Sequence, residues 1–145
     1  MSRRFAAVAF LVLAPFVHAQ SRGKVDWIFL VDTSASMRGA GGKTANIFPE
    51  VKESLATFVR EASNGDSVSL LTFDRSVHSQ GLRDLHAQFD RDELYTAIDS
   101  LTANGDRTHL GLAIREGLER AKALRARDEN GTRSRAVVLF TDGKE

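Results

Sequence analysis

The sequence predicts an α/β protein with a doubly wound, mostly parallel sheet and helices on both faces of that sheet. Short runs of continuous apolar residues, typical of strands buried on both faces, alternate with longer stretches of helical periodicity. This alternation favours parallel strands joined by helical crossovers. In such sheets, ligands bind in the loops beyond the carboxyl ends of the strands.

The first half of the chain contains three predicted strands and one helix. A buried strand covers Trp27 to Val31, and an apolar stripe predicts a helix from Thr44 to Ala62. After the turn Asn64-Gly65-Asp66, a second strand covers Val68 to Phe73. Ser76 to Gln80 is a candidate edge strand.

The second half contains two predicted helices and a further strand. Asp90 is the predicted N-cap of one helix, and Glu93, three residues later, would complete a capping box. An amphipathic pattern predicts the next helix from about Thr108 to Arg127. A fully apolar strand follows from Ala136 to Phe140, and Asp142 comes two residues after it.

The first 19 residues are predicted to be a secretory signal peptide. Arg3 and Arg4 precede an apolar run from Phe5 to Val17, and small residues end at Ala19. That run is shorter than the ~20 residues that a membrane-spanning helix needs. We therefore expect export, to a secreted, periplasmic or cell-envelope location of bacterial type. We expect the remaining residues 24–145 to form the N-terminal part of one domain, and any membrane anchor to lie beyond Glu145.

Composition excludes several classes of function. The chain has no cysteine, which excludes disulfides, zinc–thiolate sites and thiol catalysis. Removal of the predicted signal peptide takes away two arginines and no acids, which moves the formal net charge from +1 to −1. A nearly neutral domain lacks the strong positive field that attracts nucleic acid, so we expect no nucleic-acid partner.

The segment VDTSASMRGAGGKT offers two candidate sites, and its second half resembles a phosphate-binding loop. Gly42-Lys43-Thr44 could end such a loop, but Met37 stands where the first glycine is required. Several residues also separate the loop from the end of the strand. We therefore interpret the glycine-rich stretch as a flexible connection into the helix that follows.

The first half of the segment offers oxygen ligands for a hard metal ion. Asp32 ends a buried strand, and Ser34 and Ser36 follow it at alternate positions. Asp142 ends a second apolar strand in the same way, and Thr108 follows the break at Gly105-Asp106-Arg107. Mg²⁺ prefers about six oxygen ligands, few of them carboxylates, so three converging loops could supply a site. The alternative is that Asp32 and its neighbours merely cap a helix.

These residues, in this order and strand context, resemble the metal-ion-dependent adhesion site of von Willebrand factor type A domains. The resemblance runs from about Val25 to the end of the chain. It implies that Ser34 and Ser36 coordinate the metal directly, and that Thr108 binds it directly or through water. It also implies that Asp32 and Asp142 accept hydrogen bonds from metal-bound waters. The implied cofactor is Mg²⁺, or Mn²⁺ or Ca²⁺ in its place.

The resemblance implies a metal-dependent protein-binding module for adhesion or assembly, rather than an enzyme. Its ligand would be an acidic side chain of a partner protein, bound through the metal. His109 is the only histidine near the expected centre, and we interpret it as a residue at the start of a helix. The alternative is a phosphate-handling enzyme that uses Asp32 as a nucleophile or the Gly42-Lys43-Thr44 loop. The usual second acid two residues after such a nucleophile is replaced by Ser34.

Overall fold

The first strand, β1 (Val25–Asp32), lies inside the sheet, as its continuous apolar sequence requires. Its residues from Ile28 to Asp32 are all buried. The strand pairs in parallel with β2 (Ser67–Phe73) on one side and with β4 (Ser134–Phe140) on the other. These elements belong to a computed structural model, which describes residues 23–42 and 45–143.

The fourth strand, β3 (Val77–Asp84), makes the sheet mixed rather than fully parallel. The strand order is β3-β2-β1-β4, and β3 runs antiparallel to β2 at one end of the sheet. Only residues 74–76 connect β2 to β3, and a connection this short permits a hairpin but not a parallel crossover. The predicted edge strand is thereby confirmed, and it extends beyond Gln80 to Asp84.

Three helices cover the two faces of the sheet: α1 (Phe48–Glu61), α2 (Gln88–Ser100) and α3 (Leu110–Arg127). Alternate side chains of β1 enter two separate apolar cores. Phe29 packs in the core that contains α1 and α2, whereas Leu30 packs in the core that contains α3. The predicted fold class, an α/β sheet with helices on both faces, is confirmed.

Two predicted helix starts were wrong. The first helix begins at Phe48 instead of Thr44, with Pro49 in its first turn, where a proline ring is compatible with the helix. The second begins at Gln88, so Asp90 is a residue of its first turn and not the N-cap. The Asp90 carboxylate accepts the N–H groups of His86 and Ala87, at 2.9 and 2.7 Å.

Glu93 does not complete a capping box; its carboxylate binds Arg83 of β3 at 2.6 Å. The third helix begins at Leu110, which leaves Thr108 in the preceding loop. The predicted signal peptide, Met1 to Ala19, lies outside the described residues, as do Lys43 and Thr44. No helix in the described part of the chain has both the length and the apolar character needed to cross a membrane.

The amino ends of β1 and β4 are joined by a buried ionic cluster. Asp26 is 2% exposed, and its carboxylate lies 2.6 Å from the Arg133 guanidinium and accepts the Ser67 hydroxyl at 2.8 Å. Arg135 lies 3.6 Å from the same carboxylate and 2.6 Å from Asp128. This cluster ties together the amino ends of the two strands, at the opposite end of the sheet from Asp32.

Candidate metal centre

The loop after β1 is organised by the Asp32 side chain, which is fully buried. Its Oδ1 atom accepts the N–H of Ser34 at 2.9 Å, which turns the chain as soon as the strand ends. A short 3-10 helix, Ala35–Arg38, follows. This turn brings the hydroxyl oxygens of Ser34 and Ser36 to within 3.0 Å of each other. Residues that alternate in sequence thus present their oxygens at one point.

The loop after β4 meets the same carboxylate. Val31 and Phe140 are register partners in the parallel pair, so the residues that follow them emerge side by side. The Thr141 hydroxyl donates to Oδ2 of Asp32 at 2.7 Å and accepts the N–H of Gly143 at 3.0 Å. These bonds hold the half-buried Asp142 next to the loop that carries the two serines.

The pKa of Asp32 is raised, chiefly because burial penalises the charged carboxylate. Hydrogen bonds from Ser34 and Thr141 oppose that effect, and the negative charge of Asp142 adds to it. The repulsion shows that the two acids are electrostatic neighbours. A buried carboxylate with a second, half-buried carboxylate beside it favours the binding of a cation.

The third loop, which carries Thr108, is attached to the first through the backbone of Gly105. The Gly105 N–H donates to the carbonyl of Thr33 at 2.9 Å, and its carbonyl accepts the N–H of Ala35 at 2.7 Å. The residues Ser34 and Gly105 thus form a parallel bridge. Thr108 is 7% exposed and lies three residues further along this anchored loop.

The β2–β3 turn supports the Thr108 loop from its other side. The N–H of His109 donates to the carbonyl of Asp74 at 2.9 Å. A Cβ atom built on Gly105 would lie 2.4 Å from the Asp74 Cβ, so the two backbones approach as closely as a glycine allows. The loop after β1 and the β2–β3 turn together fix the position of the Thr108 loop.

The structure therefore places the five predicted ligand residues on three loops at one edge of the sheet. Asp32, Ser34 and Ser36 belong to one hydrogen-bonded turn, and Asp142 interacts electrostatically with Asp32. Thr108 lies three residues after Gly105, which forms a bridge with Ser34. In the described residues no three His, Cys, Asp or Glu side chains come together, so hydroxyls dominate this oxygen set.

Sequence reasoning missed two supporting residues. Thr141 binds Asp32 directly, and its position immediately before Asp142 at a strand end was an available signal. Gly105 was noted only as a helix breaker, whereas the structure uses it to join two loops. Its contact with Asp74 left no signal in the sequence, since 31 positions separate the two residues.

The spacing of the hydroxyls fits a small divalent cation. Adjacent ligands of an octahedral Mg²⁺ ion, each at about 2.1 Å, stand about 3.0 Å apart. The Ser34 and Ser36 oxygens are 3.0 Å apart. Two carboxylates would balance the charge of the ion, and hydroxyls add none. The residues present therefore fit Mg²⁺, and also the larger Mn²⁺ if the turn relaxes slightly.

The two alternative sites fit the structure less well. The 3-10 helix stands between β1 and the glycine-rich stretch, so this stretch does not begin at a strand end as a phosphate loop requires. Both carboxylate oxygens of the buried Asp32 accept hydrogen bonds, which leaves it poorly placed for nucleophilic attack. His109 is exposed and is the N-cap residue of α3, as expected for a residue at a helix start.

The chain belongs to the family of von Willebrand factor type A domains. The family model with that description matches residues 27–145. None of the curated proteins matches the chain. The matched range includes the five predicted ligand residues, but the match shows the family and not a bound metal.

Solved structures share the fold at low sequence identity. An uncharacterized membrane spanning protein from Vibrio fischeri aligns with a TM-score of 0.55 and 24% identity, over 70% of this chain and 51% of that one. The PilB minor pilin from Streptococcus sanguinis gives a TM-score of 0.55 and 20% identity, with 74% and 28% covered. The von Willebrand factor domain of a type V pili tip protein from Porphyromonas gingivalis gives a TM-score of 0.53 and 24% identity, over 76% of this chain and 35% of that one. The chain thus spans about half, or less, of these solved proteins.

Proposed function

We propose that the chain is an exported, metal-dependent protein-binding module that captures an acidic side chain of a partner through a divalent cation. The observation that carries the proposal is the pair of serine hydroxyls, 3.0 Å apart, beside two neighbouring carboxylates. The proposed ligand set comprises Asp32, Ser34, Ser36, Thr108 and Asp142. Membership of the type A family supports a protein-interaction role, since the similar folds include a pilus tip protein and a minor pilin.

The side chains divide into two roles. Ser34 and Ser36 would hold the cation directly, and Thr108 directly or through water, because neutral hydroxyls leave its positive charge available. Asp32 and Asp142 would accept hydrogen bonds from waters around it. The contacts of Asp32 suit that outer role, because Ser34 and Thr141 already orient both of its oxygens.

The bound cation, Mg²⁺ or else Mn²⁺ or Ca²⁺, would supply Lewis acidity toward one more oxygen donor. A carboxylate from another protein matches this requirement in charge and hardness. Binding of this kind needs no general base, and the buried, hydrogen-bonded Asp32 suits a ligand-orienting role. The proposed module is therefore a binding protein and not an enzyme, placed outside the cell or in a bacterial envelope.

The test is calorimetric titration of the protein with Mg²⁺ and Mn²⁺, comparing Asp32→Ala with Asp106→Ala. Asp106 is exposed at the same edge of the sheet and pairs with Arg75, so its loss changes local charge without touching the proposed ligands. We expect Asp32→Ala to lower metal affinity by at least about tenfold, as loss of an outer-shell partner typically does. Asp106→Ala should change it less than about threefold, because exposed charges act weakly.

Two outcomes would contradict the proposal. Equal metal affinity in the wild type and in Asp32→Ala would remove the site. Protection from thermal unfolding by ATP but not by Mg²⁺ would instead favour the phosphate-binding alternative. Circular dichroism of both variants controls for misfolding, since Asp32 also organises its loop.

A further inference from the structure

A pocket adjoins the proposed metal site on the side of the Thr108 loop. It has a volume of about 510 Å³ and is lined by consecutive residues, Arg107 to Leu112. Thr108, 7% exposed, lines this pocket, and its hydroxyl makes no hydrogen bond with the described residues. The pocket is therefore continuous with the ligand set, and one partner segment could contact both.

The chemistry of the pocket is cationic at one end and apolar along its wall. Arg107 is exposed and forms no ion pair within the described part of the chain. Leu110 and Leu112, both half-buried, supply apolar surface. A side chain with an aliphatic stem and a carboxylate end matches this combination.

The charges around the site favour the same ligand. Arg38, which ends the 3-10 helix that carries Ser36, is also exposed and forms no ion pair among the residues described. The nearby Asp106 is already paired with Arg75. Asp32 and Asp142 would balance a divalent cation, and the exposed Arg38 and Arg107 give the rim two positive charges, against the one carboxylate of the half-buried Asp74 in the adjoining turn. The rim is thus complementary to a partner that carries more than one acid.

We propose that the Arg107 pocket receives a second acidic side chain, a glutamate, from the same partner segment whose first carboxylate reaches the metal. The partner is then an acidic segment with two carboxylates, and Arg107 determines specificity for the second. This inference rests on the proposed function, because the first carboxylate requires the metal.

The test measures, by calorimetry in saturating Mg²⁺, the affinity of the protein for two capped glycine-serine peptides. One peptide contains a single glutamate, and the other contains two glutamates separated by one to three residues. We expect the wild type to bind the best two-glutamate peptide about fivefold more tightly, the upper end for an exposed ion pair. Two equivalent glutamates alone would give only about twofold, by statistics.

Three variants separate the pocket from the metal site. Arg107→Gln should reduce the preference to the statistical twofold, and Arg115→Gln, at an exposed site on α3 outside the pocket, should retain it. Gly111→Leu should also abolish the preference, because its added Cβ meets no atom within 4 Å and the larger side chain extends into the pocket. All three should bind Mg²⁺ as the wild type does.

The possible failures are distinguishable. An unchanged preference in Arg107→Gln, or equal binding of both peptides by Mg²⁺-loaded wild type, would overturn the second-carboxylate inference alone. Absence of Mg²⁺ binding by the wild type would remove the proposed function itself. High salt offers a further check, since it should reduce the fivefold preference by screening the Arg107 contact.

Discussion

Replacing Gly105 by alanine is expected to displace the Thr108 loop from the other two loops. An alanine Cβ at this position would lie 2.4 Å from the Asp74 Cβ and 2.8 Å from its Oδ2. Non-bonded carbon atoms normally stand about 3.5 Å or more apart. Gly105 is not among the glycines with positive φ, so the strain comes from the contact and not from the backbone angle.

The size of the effect follows from what must move. Asp74 is held by backbone bonds to Ser76 and His109, and Gly105 by bonds to Thr33 and Ala35, so neither side yields easily. Overpacking of a rigid site costs about 1–3 kcal/mol in unfolding free energy. A displaced Thr108 should lower Mg²⁺ affinity by roughly tenfold, because Mg²⁺ demands near-ideal octahedral geometry.

The assay combines urea unfolding in EDTA with calorimetric titration of Mg²⁺. Gly111→Ala is the matched control, since its Cβ meets no atom within 4 Å and alanine favours the helix by up to about 1 kcal/mol. Asp74→Gly in the Gly105→Ala background removes the opposing Cβ and should restore much of the metal affinity. Unchanged stability and unchanged Mg²⁺ affinity in Gly105→Ala would refute the reasoning.

Two further predictions concern buried charges. In EDTA, the raised pKa of Asp32 means that the folded protein holds its proton to higher pH than the unfolded chain, whose pKa is about 3.9. Stability should therefore fall as pH rises from there through the folded pKa, and Asp32→Asn should remove this slope in thermal melts at several pH values. At the other end of the sheet, Asp26→Ala leaves the half-buried Arg133 without its partner and should cost about 3 kcal/mol in urea unfolding. The Mg²⁺ affinity of Asp26→Ala should equal that of the wild type, and an altered affinity would mean that the two ends of the sheet are coupled. The control is Glu61→Ala, which removes an exposed ion pair and should cost less than about 0.5 kcal/mol in unfolding free energy.

The sheet was predictable because β1 and β4 contain continuous apolar runs and β2 is rich in apolar residues. Such runs must be buried on both faces, and the amphipathic stretches between them must supply the cover. The helix starts were less predictable because local patterns compete there. Asp90 suited both the N-cap and the first turn, and in the structure it lies in the first turn, where its carboxylate accepts the N–H groups of His86 and Ala87.

The candidate site was predictable as a set of strand-end residues but not as an arrangement. Parallel strands place their carboxyl ends at one edge, so Asp32 and Asp142 could be expected to meet there. Thr141 could be placed near Asp32 by its position at a strand end, but its hydrogen bond could not be predicted, and neither could the Gly105 bridge, because the sequence pattern does not determine the paths of the loops. The metal and the partner remain predictions.

The hydrogen bonds of the site also bear on how metal binding would relate to folding. Asp32 orients the Ser34 turn and binds Thr141 through protein contacts, so we expect these contacts to hold the loops in place without a cation. A metal ion would relieve the repulsion between Asp32 and Asp142 but would also replace the hydrogen bond between the two serines. Its net stabilisation should then follow mass action, about 2.7 kcal/mol at a concentration 100 times the Kd, instead of deciding whether the domain folds. Under the proposed function, such contacts would leave the energy of metal binding available for partner capture rather than loop ordering.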